Sequence, residues 1–591
     1  MIRHLLFVYL LTSLLGAQVP ARDRRITYTP NTDTHYTMPA YRNLAEWQTR
    51  SAQIREQILT AAGLYPMPDK PPMRRLVYKT IEHDDYIVET MLLETLPGYF
   101  VGGNLYHPAG KKGPFPAVAL PHGHFKNGRV ENQVNVSTPA LGINLARLGF
   151  IAFAWDMVGY NDTMQTPHDF SWPPKGSGAQ GTRELLWSFT PLALQMWNAI
   201  RAVDFLESLP DVDRNRIAAT GPSGGGTQTF LLSAIDPRIK VAIPVNMISA
   251  SMQGGAECES APNLRFETFN VEIAALIAPR PMLMISASGD WTKNTPREEY
   301  PAMQTIYELF NQPDNLELAH FDAPHNYNKA SRETAYRFLA KHLLGRPDRG
   351  PIPEPATQAE PANDMLALRT RGMPAGALDY GQVFARWREM LAGVAPSRNR
   401  LAHALAIEWP LSPVAEVAGD EITLTRPNSG DRVSVVHVPG SGTPLVIVHP
   451  DGAEAAQALV PPGRDSYLVT VFETGKAIEP RNTSDRYFVG FNRTDDANRV
   501  QDILTALAWL KRPVTLECPG KAAIWCTFAA AAAPVDVTLD APLAGFRGTD
   551  EDFLRDFYVP GIQRAGGLAA ALTVLKDAAA AKPTGQQAAQ Q

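Results

Sequence analysis

The sequence predicts an α/β protein: a mostly parallel sheet flanked by helices, followed by a second, smaller α/β unit. Two observations carry this expectation. Between about Leu76 and Leu344, β-rich runs alternate with helical runs, the order that produces a parallel sheet covered on both faces. The chain also has 591 residues, too many for one ordinary core, and a proline-rich stretch divides it.

Taken in order, Met1-Ile2-Arg3-His4 carries positive charge, Leu5 to Leu15 is an apolar run too short to span a bilayer comfortably, and small residues follow at Gly16, Ala17 and Ala21. This is the pattern of a secretory signal over 1–21, so an exported protein, periplasmic or extracellular, is expected; a retained anchor is the alternative. A polar arm covers 22–75. The main unit, 76–345, offers strands at Ile87 to Leu93, Tyr99 to Tyr106, Ala117 to Leu120, Phe150 to Trp155, Ile217 to Thr220, Val241 to Val245, Met282 to Ile285 and Leu316 to Phe321. Helical runs include Pro191 to Leu209 and Ser331 to Leu344. Prolines 347, 351, 353, 355 and 361 then mark an extended linker over 346–365. A second unit covers 366–579, and the Ala- and Gln-rich tail 580–591 reads as disordered.

Composition excludes several classes of function. With 45% hydrophobic and 19% charged residues and a net charge of -5, the chain has no basic face for nucleic acid. No segment after the signal is apolar for long enough to cross a membrane. Cys258, Cys518 and Cys526 cannot form a disulfide framework, although Cys518 and Cys526 could pair or simply be buried as small hydrophobes.

The chemistry centres on Gly221-Pro222-Ser223-Gly224-Gly225, which follows a β-type run and opens a helical run. This is the strand-turn-helix setting of a G-x-S-x-G nucleophile elbow, in which glycines relieve crowding around a serine on a sharp turn. A serine hydroxyl needs a base, and the base needs an orienting acid, in the chain order Ser, Asp or Glu, His. His325 lies just past the run Leu316 to Phe321 and before the last helix, whereas His320 sits within the run and His342 within the helix. Asp290 ends the apolar run Pro281 to Ala287 with Ser288 and Gly289; Glu298, Glu299 and Asp322 are its rivals. Ser223, Asp290 and His325 are therefore the expected nucleophile, acid and base. The amides of Gly224 and His124 are the expected oxyanion donors, the latter from the loop Pro121-His122-Gly123-His124-Phe125. His122 and His124, two apart on an extended strand, would face the same way as a metal pair, but no further ligand set accompanies them. No metal and no cofactor is expected.

His122-Gly-His124, Asp156 to Asp162, the elbow, Ala278-Pro-Arg-Pro281, Gly289-Asp-Trp-Thr292 and His325-Asn-Tyr-Asn328 together resemble the α/β-hydrolase superfamily, in its acetyl-xylan-esterase-like and dienelactone-hydrolase-like branch. The resemblance covers roughly Leu76 to Leu344. It implies the α/β-hydrolase fold and a cofactor-independent carboxylic ester hydrolase acting through an acyl-enzyme, with Ser223, Asp290 and His325 in the triad roles. The elbow lacks the Cys-Ser-Arg pattern of glucuronoyl esterases and the cysteine nucleophile of dienelactone hydrolases.

The second unit reads as a degenerate copy of the first. Thr443 to Gly452 echoes Phe115 to Gly123, Val500 to Leu510 echoes Ala199 to Leu206, and Val514 to Lys521 falls where the elbow would lie, with Gly520 in the serine's place. No histidine follows His449, so this unit is expected to be silent; unrelated parallel α/β units also share such patterns. Trp291 and Phe125 beside the triad and Trp187 in the long insertion after Tyr160 are candidate substrate contacts, with core or lid packing the plainer alternative. The expected partner is a small-molecule or carbohydrate ester. A serine peptidase of the prolyl-oligopeptidase kind and an inactive carbohydrate-binding homologue are the competing readings.

Overall fold

The computed structural model describes residues 19–173, 181–369 and 371–580. The expected signal, up to residue 18, and the tail beyond 580 lie outside the described residues. The first sheet has nine strands: β1 (Arg74–Glu82), β2 (Tyr86–Leu96), β3 (Tyr99–Pro108), β4 (Phe115–Pro121), β5 (Ile151–Trp155), β6 (Val212–Pro222), β7 (Ile239–Val245), β8 (Met282–Gly289) and β9 (Leu316–Pro324). Their order across the sheet is β1-β2-β3-β5-β4-β6-β7-β8-β9. The first three strands and β5 pair antiparallel, and every pairing from β5 through β4 to β9 is parallel. The expected strands therefore form, with β1 added as a half-exposed edge strand that periodicity did not mark.

The parallel strands read as nearly continuous apolar runs because both faces are covered. One face carries helices Pro191–Ser208 and Gly224–Ile235 over a core that includes Trp155, Trp197 and Phe230. The other carries Thr138–Leu148 and Lys329–Leu344 over Tyr106, Ile143 and Phe338. Helix Pro191–Ser208 starts sharply because the Thr190 side chain accepts from Ala193 N at 3.0 Å and proline fills the first turn.

The second sheet has seven strands: β10 (Val414–Ala418), β11 (Glu421–Thr425), β12 (Val433–Val438), β13 (Ser441–Val448), β14 (Arg464–Thr470), β15 (Val514–Glu517) and β16 (Val537–Asp540), ordered β10-β11-β12-β14-β13-β15-β16. This repeats β1-β2-β3-β5-β4-β6-β7 strand for strand, with the same antiparallel and parallel senses. Helices Asp495–Leu510 and Ala522–Ala532 fall where Pro191–Ser208 and Gly224–Ile235 fall in the first unit. Among the described residues the sheet stops at the counterpart of β7, without equivalents of β8 and β9. Cys518 and Cys526 form a disulfide within it, between the end of β15 and the helix that follows.

The connections differ from a free linker. Residues 346–361 form no regular structure but lie against the first unit. Buried Glu354 takes two 2.7 Å bonds from Arg332 and one from Tyr336 at 2.9 Å. Val383, Phe384 and Trp387 of helix Tyr380–Glu389 pack into the first core as well, so that core reaches past residue 366. The start of the N-terminal arm meets the second unit, where Arg25 donates to buried Asp502 at 2.6 Å, while its helix Leu44–Ala61 packs Trp47, Ile54 and Ile58 into the first core. No helix of the described residues is long and apolar enough to cross a membrane.

Candidate active site

Ser223 stands between β6 and helix Gly224–Ile235 with φ 57° and ψ -127°. A non-glycine residue tolerates that conformation only where its surroundings enforce it. Here Ser223 N donates to Val245 O at 3.0 Å, and Ser223 O accepts from Thr227 N at 3.0 Å, which joins the turn to β7 and to the helix. A Cβ at Gly225 would lie 2.2 Å from Pro121 O, so the approach of β4 requires a glycine two residues after the serine. Gly224 begins the helix, and its amide therefore has no intrahelical acceptor.

Asp290 and His325 are brought together by strand register. Gly289 of β8 pairs with Pro324 of β9, so the next residue of each strand leaves the same end of the sheet. His325 Nδ1 lies 2.7 Å from Asp290 Oδ2. The other carboxylate oxygen accepts from Thr292 N at 2.7 Å and Thr292 Oγ1 at 2.5 Å, so the acid is fixed before it meets the ring. The Asp290 side chain is only 2% exposed, which makes its attraction for an imidazolium stronger than that of a surface carboxylate. Trp291 closes over His325 at 4.5 Å between ring centres, held by its own bond from Nε1 to Asn246 O at 3.1 Å. His325 Nε2 is buried and has no hydrogen-bond partner among the described residues. The rival acids are engaged elsewhere: Asp322 accepts from Ser288 at 2.6 Å, Glu299 from Ala250 N at 2.8 Å, and Glu298 pairs with His35.

The loop after β4 presses against the elbow. A Cβ at Gly123 would come within 2.6 Å of Pro222 O and 2.9 Å of the Ser223 Cβ, so only glycine permits this approach. Phe125 folds back over Gly123, and the His124 ring lies over Gly224, 2.7 Å from where a side chain there would begin. His122 serves the scaffold: Nδ1 donates to Gly123 O at 2.7 Å and Nε2 accepts from Met157 N at 2.9 Å. Burial, seconded by nearby Arg129, pushes its pKa down to about 3 against the bond to Gly123, so it stays neutral. With both nitrogens used, it forms no metal pair with His124. Behind it, buried Arg129 pairs with Asp156 and with Asp162, the latter at 2.5 Å, and Asn161 donates to Asp156 at 2.9 Å. This network fixes the loop between Asp156 and Asp162.

Trp291 thus lies against His325 and Phe125 against Gly123, but the contacts of Trp187 lie elsewhere. Its indole donates to Asp550 at 3.0 Å, Arg388 lies 4.4 Å over its ring, and its carbonyl accepts from Trp387. Trp172 packs edge-on against Tyr487 at 5.1 Å, and Phe170 against Phe189 at 4.9 Å. The aromatic insertion joins the two units. Beside it, Arg486 pairs with Glu257, so the second unit reaches the turn that carries Cys258.

A mostly parallel sheet with the serine elbow after β6 and an acid and a histidine after its last two strands defines an α/β-hydrolase fold. Residues 90–248 match the family model of acetyl xylan esterases (AXE1). The chain is 27% identical over 315 residues to the "Putative hydrolase YtaP" of Bacillus subtilis (strain 168), an alignment covering 49% of this chain and 99% of that protein. Among solved structures it is similar to "Methylesterase BT1017", with 28% identity, a TM-score of 0.51, and coverage of 60% of this chain and 77% of the other. These relationships support an ester hydrolase.

Proposed function

We propose that the chain is a serine carboxylic ester hydrolase that deacylates carbohydrate esters through an acyl-enzyme. The observation that carries this reading is the imidazole of His325: Asp290 holds one nitrogen at 2.7 Å, and the other is buried without a partner. Asp290 fixes the proton on Nδ1, which leaves the Nε2 lone pair free to accept one. In the proposed reaction Ser223 Oγ attacks the ester carbonyl carbon while its proton passes to Nε2. The developing oxyanion takes hydrogen bonds from the amides of Gly224 and His124, and the helix N-terminus stabilises the same charge. Collapse expels the alcohol, protonated by His325, and water drawn through the same base releases the acid.

The match to the acetyl xylan esterase family model supports an acyl group on a sugar hydroxyl, and the similarity to a methylesterase supports ester chemistry more generally. Export fits the N-terminal pattern and the Cys518–Cys526 disulfide, which suits an oxidising compartment. The second unit, without counterparts of β8 and β9, is read as silent and as a wall beside the first.

Purified protein assayed on p-nitrophenyl acetate, acetylated xylan and a proline-containing chromogenic peptide, beside Ser223→Ala, tests the reading. Acetate release that disappears in the variant supports it. Peptide cleavage would favour the peptidase, and inactivity on every ester would favour a binding protein.

A further inference from the structure

Three side chains that the hydrolytic chemistry leaves without a role meet beside the elbow. His124 Nε2 lies 2.8 Å from Cys258 Sγ, and the ligand atoms of His124, His168 and Cys258 all fall within 4.8 Å of one another. They come from three segments distant in sequence: the loop after β4, the start of the aromatic insertion and the turn Glu257–Glu259.

The His168 imidazole is oriented from behind by a hydrogen bond. His168 Nδ1 lies 2.6 Å from Val158 O and so carries the proton, which leaves Nε2 a bare lone pair. That Nε2 is buried and has no hydrogen-bond partner among the described residues, an arrangement costly for a nitrogen with nothing to bind. The other face of His124 points Nδ1 toward Glu259 Oε1 at 3.9 Å, and Gly255 N holds that carboxylate at 2.8 Å. A metal-bound histidine characteristically gives its second nitrogen to a carbonyl or a carboxylate. His168 has this arrangement through Val158 O, and for His124 the Glu259 carboxylate stands nearby without a direct hydrogen bond. Cys258 is buried, and its own carbonyl accepts from Gln195 at 3.2 Å. Burial, with Glu259 and Glu257 nearby, holds its thiol well above the usual range, so without a cation it stays protonated toward His124.

We propose that His124, His168 and Cys258 form a binding site for one divalent cation of the zinc class, adjoining the nucleophile elbow. Two imidazoles and one thiolate suit a tetrahedral ion and leave a fourth position open. Around such an ion a nitrogen and a sulfur stand about 3.6 Å apart, from bonds of about 2.0 and 2.3 Å. The thiol hydrogen bond therefore opens by less than about 1 Å when the ion enters. Binding forms the metal–sulfur bond and sends the thiol proton to solvent, so affinity rises with pH. Glu257 and Glu259 supply negative potential around the ion. The site goes beyond the esterase reading and does not depend on it.

Chelator-treated full-length protein titrated with Co²⁺ decides the matter. The expected result is saturation at one ion per chain, an intense visible absorption of tetrahedral cobalt, a near-ultraviolet sulfur-to-cobalt charge-transfer band, and displacement of both by Zn²⁺. Cys258→Ser removes the charge-transfer band, and His168→Gln, at a half-buried position, weakens affinity by at least about tenfold. Cys518→Ser with Cys526→Ser leaves the spectrum unchanged. A folded wild type without the charge-transfer band, or a band that persists in folded Cys258→Ser, overturns the proposal. Should Cys258→Ser fail to fold, unchanged affinity in His168→Gln overturns it equally.

Discussion

Gly520 in the second unit holds φ 57°, the same backbone angle as Ser223 in the first. Each follows a proline at or just past the end of a parallel strand and precedes a helix buried against its sheet. The two turns thus share a positive φ at the corresponding position, occupied by serine in one unit and by glycine in the other. Among the described residues, the second sheet also lacks counterparts of the two strands that lead to Asp290 and His325 in the first unit.

The silence of the second unit is directly testable. Adding Gly520→Ser to Ser223→Ala restores no ester turnover, because no histidine follows His449 to activate a serine there. Steady-state hydrolysis of p-nitrophenyl acetate, corrected for spontaneous hydrolysis, checks this. Turnover above that of Ser223→Ala alone would contradict it.

Asp290→Asn keeps the shape of the acid but offers the ring an amide in place of a carboxylate. By analogy with other serine triads it lowers kcat by roughly 10³–10⁴ while leaving KM within a few-fold. Asp322→Asn, whose acid bonds Ser288 at 2.6 Å, leaves kcat within about twofold. Equal losses in the two variants would reverse the assignment of the acid.

Gly123→Ala places a methyl group 2.6 Å from Pro222 O, so the loop that carries the His124 amide must withdraw. The expected cost is about 10² in kcat, the scale of losing one oxyanion donor. Paired measurements of kcat and thermal unfolding separate this from general destabilisation.

Much of the candidate site is legible in the sequence because its parts are local. The elbow is one short motif, and Asp290 and His325 each end an apolar run in the order the fold demands. Strand β1 was not, since its alternating half-exposure leaves no apolar stripe. The proline-rich segment reads as an extended linker, and its docking is not legible because the partners of Glu354, Arg332 and Tyr336, lie in a helix earlier in the chain. The place of Trp187 in the insertion suits a substrate contact or core and lid packing equally, and the groups that decide its packing, Asp550 and Arg388, lie hundreds of residues further on. The cluster of His124, His168 and Cys258 has no sequence spacing to reveal it.

Asp431 makes the second unit acid-sensitive. Burial is the largest single influence and opposes ionisation, but Arg426, Arg25 and the Ser429 hydroxyl outweigh it and lower the pKa from 3.8 to about 2. Because the folded value lies below the unfolded one, its contribution is fully present above about pH 4 and is lost as pH falls through about 2. The lowering corresponds to roughly 2 kcal/mol. Urea unfolding of wild type and Asp431→Asn should therefore show a stability gap at pH 6 that shrinks by about that amount toward pH 2. A gap independent of pH would contradict the assignment.

The most direct test of the central claim is covalent trapping. Incubation with a fluorophosphonate ester, followed by intact-mass measurement and peptide mapping, should give one adduct per chain on the peptide containing Ser223, and the adduct should vanish in His325→Ala. Labelling at another residue, or undiminished labelling of Ser223 without His325, would contradict the account.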